Sequence, residues 1–215
     1  MMPDVAVGIA TPSAYALANA AKGDIPVVFT AVSDPEAEDA DFRTFDNVTG
    51  SSDKLPVESQ IDLIKAFLNK GEEPVKIGIL FTNTEANSKS QIAEFEALAE
   101  EKNIEIVSRG VNTANEIPTA IDALIAQGID CFNNLTDNTV VQNLQTLLDK
   151  ADAAGIPVFG SEIEQVTKGC LASCSLDYVE LGQQTGYMIA DILEGKSADE
   201  IEYLYLDDGY TVDYN

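Results

Sequence analysis

The feature that most limits what this chain can fold into is its alternation of short apolar runs with segments of helical period. Val75-Lys76-Ile77-Gly78-Ile79-Leu80 reads as a buried strand, and Ile92, Phe95, Leu98 and Ala99 recur as one face of a helix. Between them lies Phe81-Thr82-Asn83-Thr84-Glu85-Ala86-Asn87-Ser88, a turn dense in hydroxyls and amides, with Asn87 or Ser88 placed to cap the helix. The design repeats along the chain. Strands are expected at 5–10, 25–32, 75–81, 104–108, 129–135, 156–160 and 171–176, and helices at 56–69, 88–102, 116–127, 139–153 and 178–194. Alternating strands and helices of this length form βαβ units on a parallel sheet.

Local signals set the punctuation. Thr11 is expected as N-cap, with Pro12 at the first helical position. Ser33-Asp34-Pro35 ends the second strand in an Asx-type turn. Residues 36–46 carry many acids among few apolar side chains and read as a solvated loop or short irregular segment. Asn47-Val48-Thr49-Gly50 then Ser51-Ser52-Asp53 reads as a crossing between two lobes, because the period is strict after it. Gly155 stops one helix. Asp177 starts another, with Glu180 at the capping-box position.

Five strand ends carry the same chemistry: Thr11-Pro12-Ser13, Thr30 to Asp34, Thr82 to Ser88, Thr136-Asp137-Asn138 and Ser161-Glu162. In an open parallel sheet, ligands bind outside the carboxyl ends of strands. Hydroxyls and helix N-termini suit a carboxylate, and Asp34, Glu85, Asp137 or Glu162 could each pair an ammonium. Together they match the needs of a free amino acid, although any one of these acids is compatible with a solvated turn.

Composition removes other classes. The chain has 37 Asp and Glu against 12 Lys and Arg, a net charge of −25, so no basic track for nucleic acid exists. There is no His for a triad, and no Gly-x-Ser-x-Gly elbow or phosphate loop, so catalytic residues are expected to be none. Carboxylates such as Asp137 and Glu162 could in principle do acid–base work, but nothing in the sequence marks them for it. Cys131 reads as a buried filler. Cys170 and Cys174, without a histidine, make a zinc site improbable, and a local disulfide between them is geometrically poor. No metal or cofactor is expected. No run is long enough to span a membrane, and the start, Met1-Met2-Pro3-Asp4, has no signal-peptide pattern.

The segments Ile9 to Ala14, Pro26 to Pro35, Asn47 to Gly50, Leu55 to Gln60, Glu85 to Ser88, Thr136 to Thr139 and Ile156 to Phe159 resemble the extracytoplasmic substrate-binding proteins of ABC transporters, in the branch with tryptophan- and tyrosine-type binders. The resemblance covers nearly the whole chain. It implies a two-lobed periplasmic-binding-protein-like α/β fold, each lobe a parallel sheet flanked by helices, closing on its ligand without catalysis. By that reading residues 1–49 and 175–205 form a first lobe, 50–174 a second, and 206–215 a tail. The contact set implied is Thr11, Ser13, Thr30, Asp34, Glu85, Asn87, Ser88, Asp137, Asn138 and Glu162. The carboxylate goes to Ser13, Asn87 and Ser88, and the ammonium to Asp137 with Glu162 or Asp34 in support.

Family members carry a signal peptide, a lipid-anchoring cysteine and about two further βα units before the strand at Val5. The first lobe is therefore expected to be incomplete and the chain truncated. Its open edge would favour pairing with a second copy. The full-length form is expected outside the cell, lipid-anchored, working with an ABC permease. Tyr15, Phe81, Phe159 and Tyr178 are the candidates for aromatic specificity, with Phe81 and Phe159 reading first as core. The other readings are a sugar or nucleoside binder, a ligand-sensing domain of a receptor or regulator, and an enzyme on a doubly wound fold.

Overall fold

The computed structural model describes residues 3–206 and 210–215. They form two compact units, Met1–Lys54 with Leu176–Gly209, and Leu55–Ser175 with Tyr210–Asn215. The chain thus passes from the first unit to the second at Lys54 and returns at Ser175, and its last six residues belong to the second unit.

In the first unit, β1 (Ala6–Ile9), β2 (Val27–Thr30), β3 (Val48–Ser52) and β9 (Leu204–Tyr205) form one parallel sheet in that order. Alternation along β2 decides what covers each face. Val27 and Phe29 point to α1 (Thr11–Ala21), whose alanines Ala14, Ala18 and Ala21 allow close approach. Val28 points to the opposite face, where Ile192 of α9 (Tyr178–Leu193) packs with Ala198. Gly50 is needed in β3 because a Cβ there would lie 2.1 Å from the Phe29 carbonyl oxygen. β1 is an edge strand, with Val7 and Ile9 exposed on it.

In the second unit, β4 (Val75–Thr82), β5 (Ile104–Val111), β6 (Cys131–Asn133) and β7 (Val158–Phe159) form a parallel sheet ordered β5-β4-β6-β7. β8 (Ala172–Ser175) runs alongside β7 through the Gly160–Ser173 bridge, and β10 (Thr211–Tyr214) pairs with β8 antiparallel. One face is packed by α2 (Val57–Leu68) and α3 (Ala86–Ala97), through Ile61, Ile64, Ile92 and Phe95. The other is packed by α5 (Ile117–Ala126) and α7 (Leu144–Ala154), through Ile121, Leu124, Leu144 and Leu147. Three short helices complete this unit: α4 (Ala99–Lys102), α6 (Asn138–Gln142) and α8 (Ile163–Lys168).

Mixed α/β architecture with parallel sheets flanked by helices is the expected class. Several local readings are corrected. Residues 36–46 form a short irregular segment and not a solvated loop: two 3-10 turns, Glu38–Ala40 and Phe42–Thr44, place Ala40 and Phe42 in the core. Phe42 is fully buried with its ring 4.9 Å from Phe29 and 5.6 Å from Tyr15, so one aromatic outweighs the surrounding acids. Within the stretch Asn47–Asp53, expected as a crossing, Val48–Ser52 forms the buried strand β3, and the chain passes to the second unit just after it, at Lys54. The expected helix 88–102 breaks at Leu98, and 139–153 breaks at Asn143. The expected tail carries β10, which pairs in the second unit, while its residues 207–209 lie outside the described residues, as do Met1 and Met2.

Candidate functional site

The strand ends of the second unit are built around one buried carboxylate. Asp137, in the turn after β6, is fully buried and accepts four hydrogen bonds. Its Oδ2 accepts from the Thr82 backbone N–H at 2.7 Å and from Ser88 Oγ at 2.8 Å. Its Oδ1 accepts from Thr82 Oγ1 at 2.8 Å and from the Val140 N–H at 3.0 Å. The last of these makes Asp137 the N-cap of α6. Asp137 therefore ties the carboxyl end of β4 to the starts of α3 and α6, and its four partners fill both oxygens.

Glu85 lies beside it. Its carboxylate accepts from the Asn138 backbone N–H at 3.1 Å and from Asn138 Nδ2 at 3.0 Å. Burial pushes its pKa up, and the Asp137 charge adds to that. Glu85 occupies the N-cap position of α3 without a side-chain cap bond, and Asn87 and Ser88 sit inside the first turn. Neither is therefore the cap expected from the sequence. Ser88 is turned to Asp137, and Asn87 donates to the Thr136 carbonyl at 3.4 Å. Gln91, one turn on, donates to Thr136 Oγ1 at 3.1 Å.

A second amide centre follows β7. Gln165 Oε1 accepts from Asn134 Nδ2 at 2.9 Å and from the Ser161 N–H at 3.1 Å, while Gln165 Nε2 donates to Glu162 at 3.1 Å. Glu162 is half-buried at the N-cap position of α8.

The first unit solves its strand ends with neutral groups. Thr30 Oγ1, Ser51 Oγ and Thr185 Oγ1 form a triangle with edges of 3.0, 3.0 and 2.6 Å, and Thr185 donates onward to the Leu181 carbonyl. Thr11 is the first residue of α1, not its N-cap. Ala10 holds that position with φ 65°, and no side chain caps the helix. Ser13 donates back to the Ile9 and Ala10 carbonyls, which spends its hydroxyl inside the helix. Asp34 closes the expected turn by accepting from the Glu36 N–H at 3.0 Å. Beyond it, Asp53 is buried, accepts from the Tyr178 hydroxyl at 3.0 Å, and has its pKa raised by burial.

Of the expected contact set, the fold brings Glu85, Asn87, Ser88, Asp137 and Asn138 into one cluster and places Glu162 in the neighbouring turn. Thr11, Ser13, Thr30 and Asp34 lie at the strand ends of the first unit. Sequence reading missed Asn133, Gln91, Gln165, Ser51 and Thr185. Asn133 and Asn134 interrupt an apolar strand, and Thr185 falls on the buried stripe of α9 between Leu181 and Met188, so each carried the signal of a polar residue at a core position. The aromatic candidates are mostly structural. Phe159 is buried against Phe67, Tyr15 packs on Phe42 and Phe45, Phe81 lies against the α2/α3 core, and Tyr178 holds Asp53. All three cysteines are free and buried, with burial raising each thiol's pKa.

Residues 1–212 match the family model described as ABC transporter substrate binding protein. The chain belongs to this family. Its description as one of binding proteins agrees with the expectation of binding rather than catalysis. A curated member, the tyrosine-binding protein of Clostridioides difficile strain R20291, is 36% identical over 209 residues, covering 95% of this chain. This chain spans 59% of that relative's length. The ABC domain in complex with L-Trp from Streptococcus pneumonia is 32% identical with a TM-score of 0.89, covering 100% of this chain and 73% of that one. A conserved domain protein from Vibrio cholerae is 35% identical with a TM-score of 0.87, covering 99% and 71%. The family is therefore shared along the chain's whole length. Among the described residues, no helix is long and apolar enough to cross a membrane.

Proposed function

We propose that this chain binds a free aromatic amino acid, tyrosine or tryptophan, as the solute-binding component of an ABC importer, outside the cytoplasmic membrane and without chemistry. The observation that carries this reading is the similarity, along the full chain, to a protein crystallised with L-Trp. The site chemistry supports it. The N-termini of α1 and α3 have no side-chain cap, which leaves first-turn N–H groups for a carboxylate. Buried amides and acids at the strand ends of the second unit suit the ammonium.

In this proposal Thr11, Ser13, Thr30 and Asp34 are the ligand-binding groups of the first unit, and Glu85, Asn87, Asn138 and Glu162 those of the second, where Ser88 and Asp137 act from behind by fixing Thr82 and α6. Delivery to an ABC permease and lipid anchoring of the full-length protein belong to the same proposal. So does pairing with a second copy along β1, supported by the exposed Val7 and Ile9 on that edge and tested by native mass spectrometry.

A thermal-shift panel of amino acids, sugars and nucleosides tests the ligand class by binding linkage. The expected result is a selective rise in Tm with L-tyrosine or L-tryptophan. A rise with a sugar or nucleoside alone would overturn the amino-acid reading and keep the binding fold.

A further inference from the structure

Five amide side chains of the second unit are almost wholly buried and yet hold an oxygen with no donor. They are Gln60, Asn87, Gln91, Asn133 and Asn134, at 2, 4, 4, 1 and 2% exposure. Buried polar side-chain atoms are ordinarily partnered, so such a group calls for an explanation. The orientation of three of these amides is set by their nitrogens. Gln60 Nε2 donates to the Cys174 carbonyl at 3.2 Å, and Asn87 and Gln91 donate to Thr136. What they leave exposed to the interior is acceptor, and Asn133 has both its oxygen and its nitrogen unpartnered.

Gln60, Asn87, Gln91 and Asn133 share one face and one end of the sheet. Asn133 pairs in register with Phe159 and alternates with Cys131, both of which lie in the core packed by α2 and α3. Asn87 and Gln91 are one turn apart near the start of α3, directly after β4, and β4 is the neighbour of β6. Gln60 reaches the carboxyl end of β8 from the first turn of α2.

We infer that the ammonium group of the ligand is taken here, by the side-chain oxygens of Asn87 and Asn133 with Glu85 beside them, and that Asp137 is a structural anion and not the ammonium partner. This rests on the amino-acid reading above. Five orphan amide oxygens in this unit, those of Gln60, Asn87, Gln91, Asn133 and Asn134, against one orphan amide nitrogen call for a donor-rich group. An ammonium has three N–H donors and no acceptor, whereas a carboxylate has only acceptors and would repel these oxygens. Asp137 cannot serve without losing one of its four partners, two of which are backbone N–H groups. Glu85, hydrogen-bonded to Asn138 and to the Asn87 side chain, sits next to the Asp137 charge, and a cation beside it would offset that repulsion. A buried water is the alternative occupant, and it would satisfy the same oxygens whether or not a ligand were bound.

The test is calorimetric titration of the chain with L-tyrosine and with 3-(4-hydroxyphenyl)propionate, which lacks only the amino group. L-Tryptophan and indole-3-propionate form a second pair. Each pair gives an affinity ratio that isolates the ammonium, so a general loss of packing cancels. The unmodified chain should prefer the amino acid, and Asn87→Ala and Asn133→Ala should each shrink the ratio by about tenfold or more. Where an alanine variant does not fold, Asn87→Ser or Asn133→Ser carries the same comparison. A ratio unchanged by substitution at both positions would overturn the inference alone and assign the oxygens to water. Failure of the unmodified chain to bind either amino acid would overturn the amino-acid reading, and this inference with it.

Discussion

The carboxyl ends of neighbouring parallel strands are handled differently in the two units. In the second, a fully buried carboxylate collects two backbone N–H groups and two hydroxyls. In the first, three hydroxyls lie within hydrogen-bond distance of one another, with Ser51 donating to Thr30 and Thr185 donating onward to the Leu181 carbonyl. Both devices close polar groups that would otherwise be stranded above a core. They differ in what their loss leaves behind. Removing Asp137 orphans two buried N–H donors and unties three elements at once. Removing one hydroxyl of the triangle leaves the other two bonded to each other. The lesson is that an acid at a strand end can have both oxygens filled by the fold, as Asp137 does, so its residue type alone does not give its role.

The largest effect should come from Asp137→Ala, at about 3–5 kcal/mol, the scale for stranding the partners of a buried charged group. Urea denaturation would show this as a lower midpoint with an unchanged slope. Thr185→Val, which keeps the shape and removes one hydroxyl of the triangle, should cost only about 1–2 kcal/mol. Equal losses from the two substitutions would erase the distinction drawn here. Asp177 does only the capping part of the Asp137 role, accepting from the Val179 and Glu180 N–H groups at 2.8 and 3.1 Å at the start of α9. Asp177→Ala should cost about 1 kcal/mol in the same assay.

The smallest effect concerns pH. A carboxyl whose pKa is raised in the fold is held protonated more firmly there than in the unfolded chain. Glu85 therefore adds most to stability below its ordinary value of 4.5, and that part is lost as pH rises through the folded value. Denaturation curves taken upward from about pH 4 should show this decline in the unmodified chain and a flatter profile in Glu85→Gln. A profile that Glu85→Gln leaves unchanged would remove Glu85 from the charged pair.

Much of the fold was legible because period and punctuation agreed along the chain. β4 and α2 fall within about a residue of expectation, since apolar repeats and glycine stops are local signals. The same holds for the Asp177 cap, where the N–H partners are the next residues in sequence. What was not legible depended on distant partners. Residues 36–46 looked solvated because acids outnumber apolar residues there, and only the fold shows Phe42 meeting Phe29 and Tyr15. Thr11 was misplaced by one position because Ala10, with no capping side chain, turns the backbone itself. At the site, residue types at strand ends were readable, but roles were not. Asp137 and Ser88 were readable as polar groups at strand ends, but their hydrogen bond to each other across 49 residues was not. Asn133 carried only the signal of a polar residue in an apolar strand; that its amide is orphaned depends on distant neighbours.

The most direct test of the central claim is a crystal structure of the chain with L-tyrosine or L-tryptophan bound. The account predicts the ligand nitrogen within about 3.2 Å of Asn87 Oδ1 or Asn133 Oδ1, with Asp137 still holding Thr82, Ser88 and Val140. A ligand nitrogen seated on Asp137, with Ser88 or Thr82 displaced from it, would contradict the account.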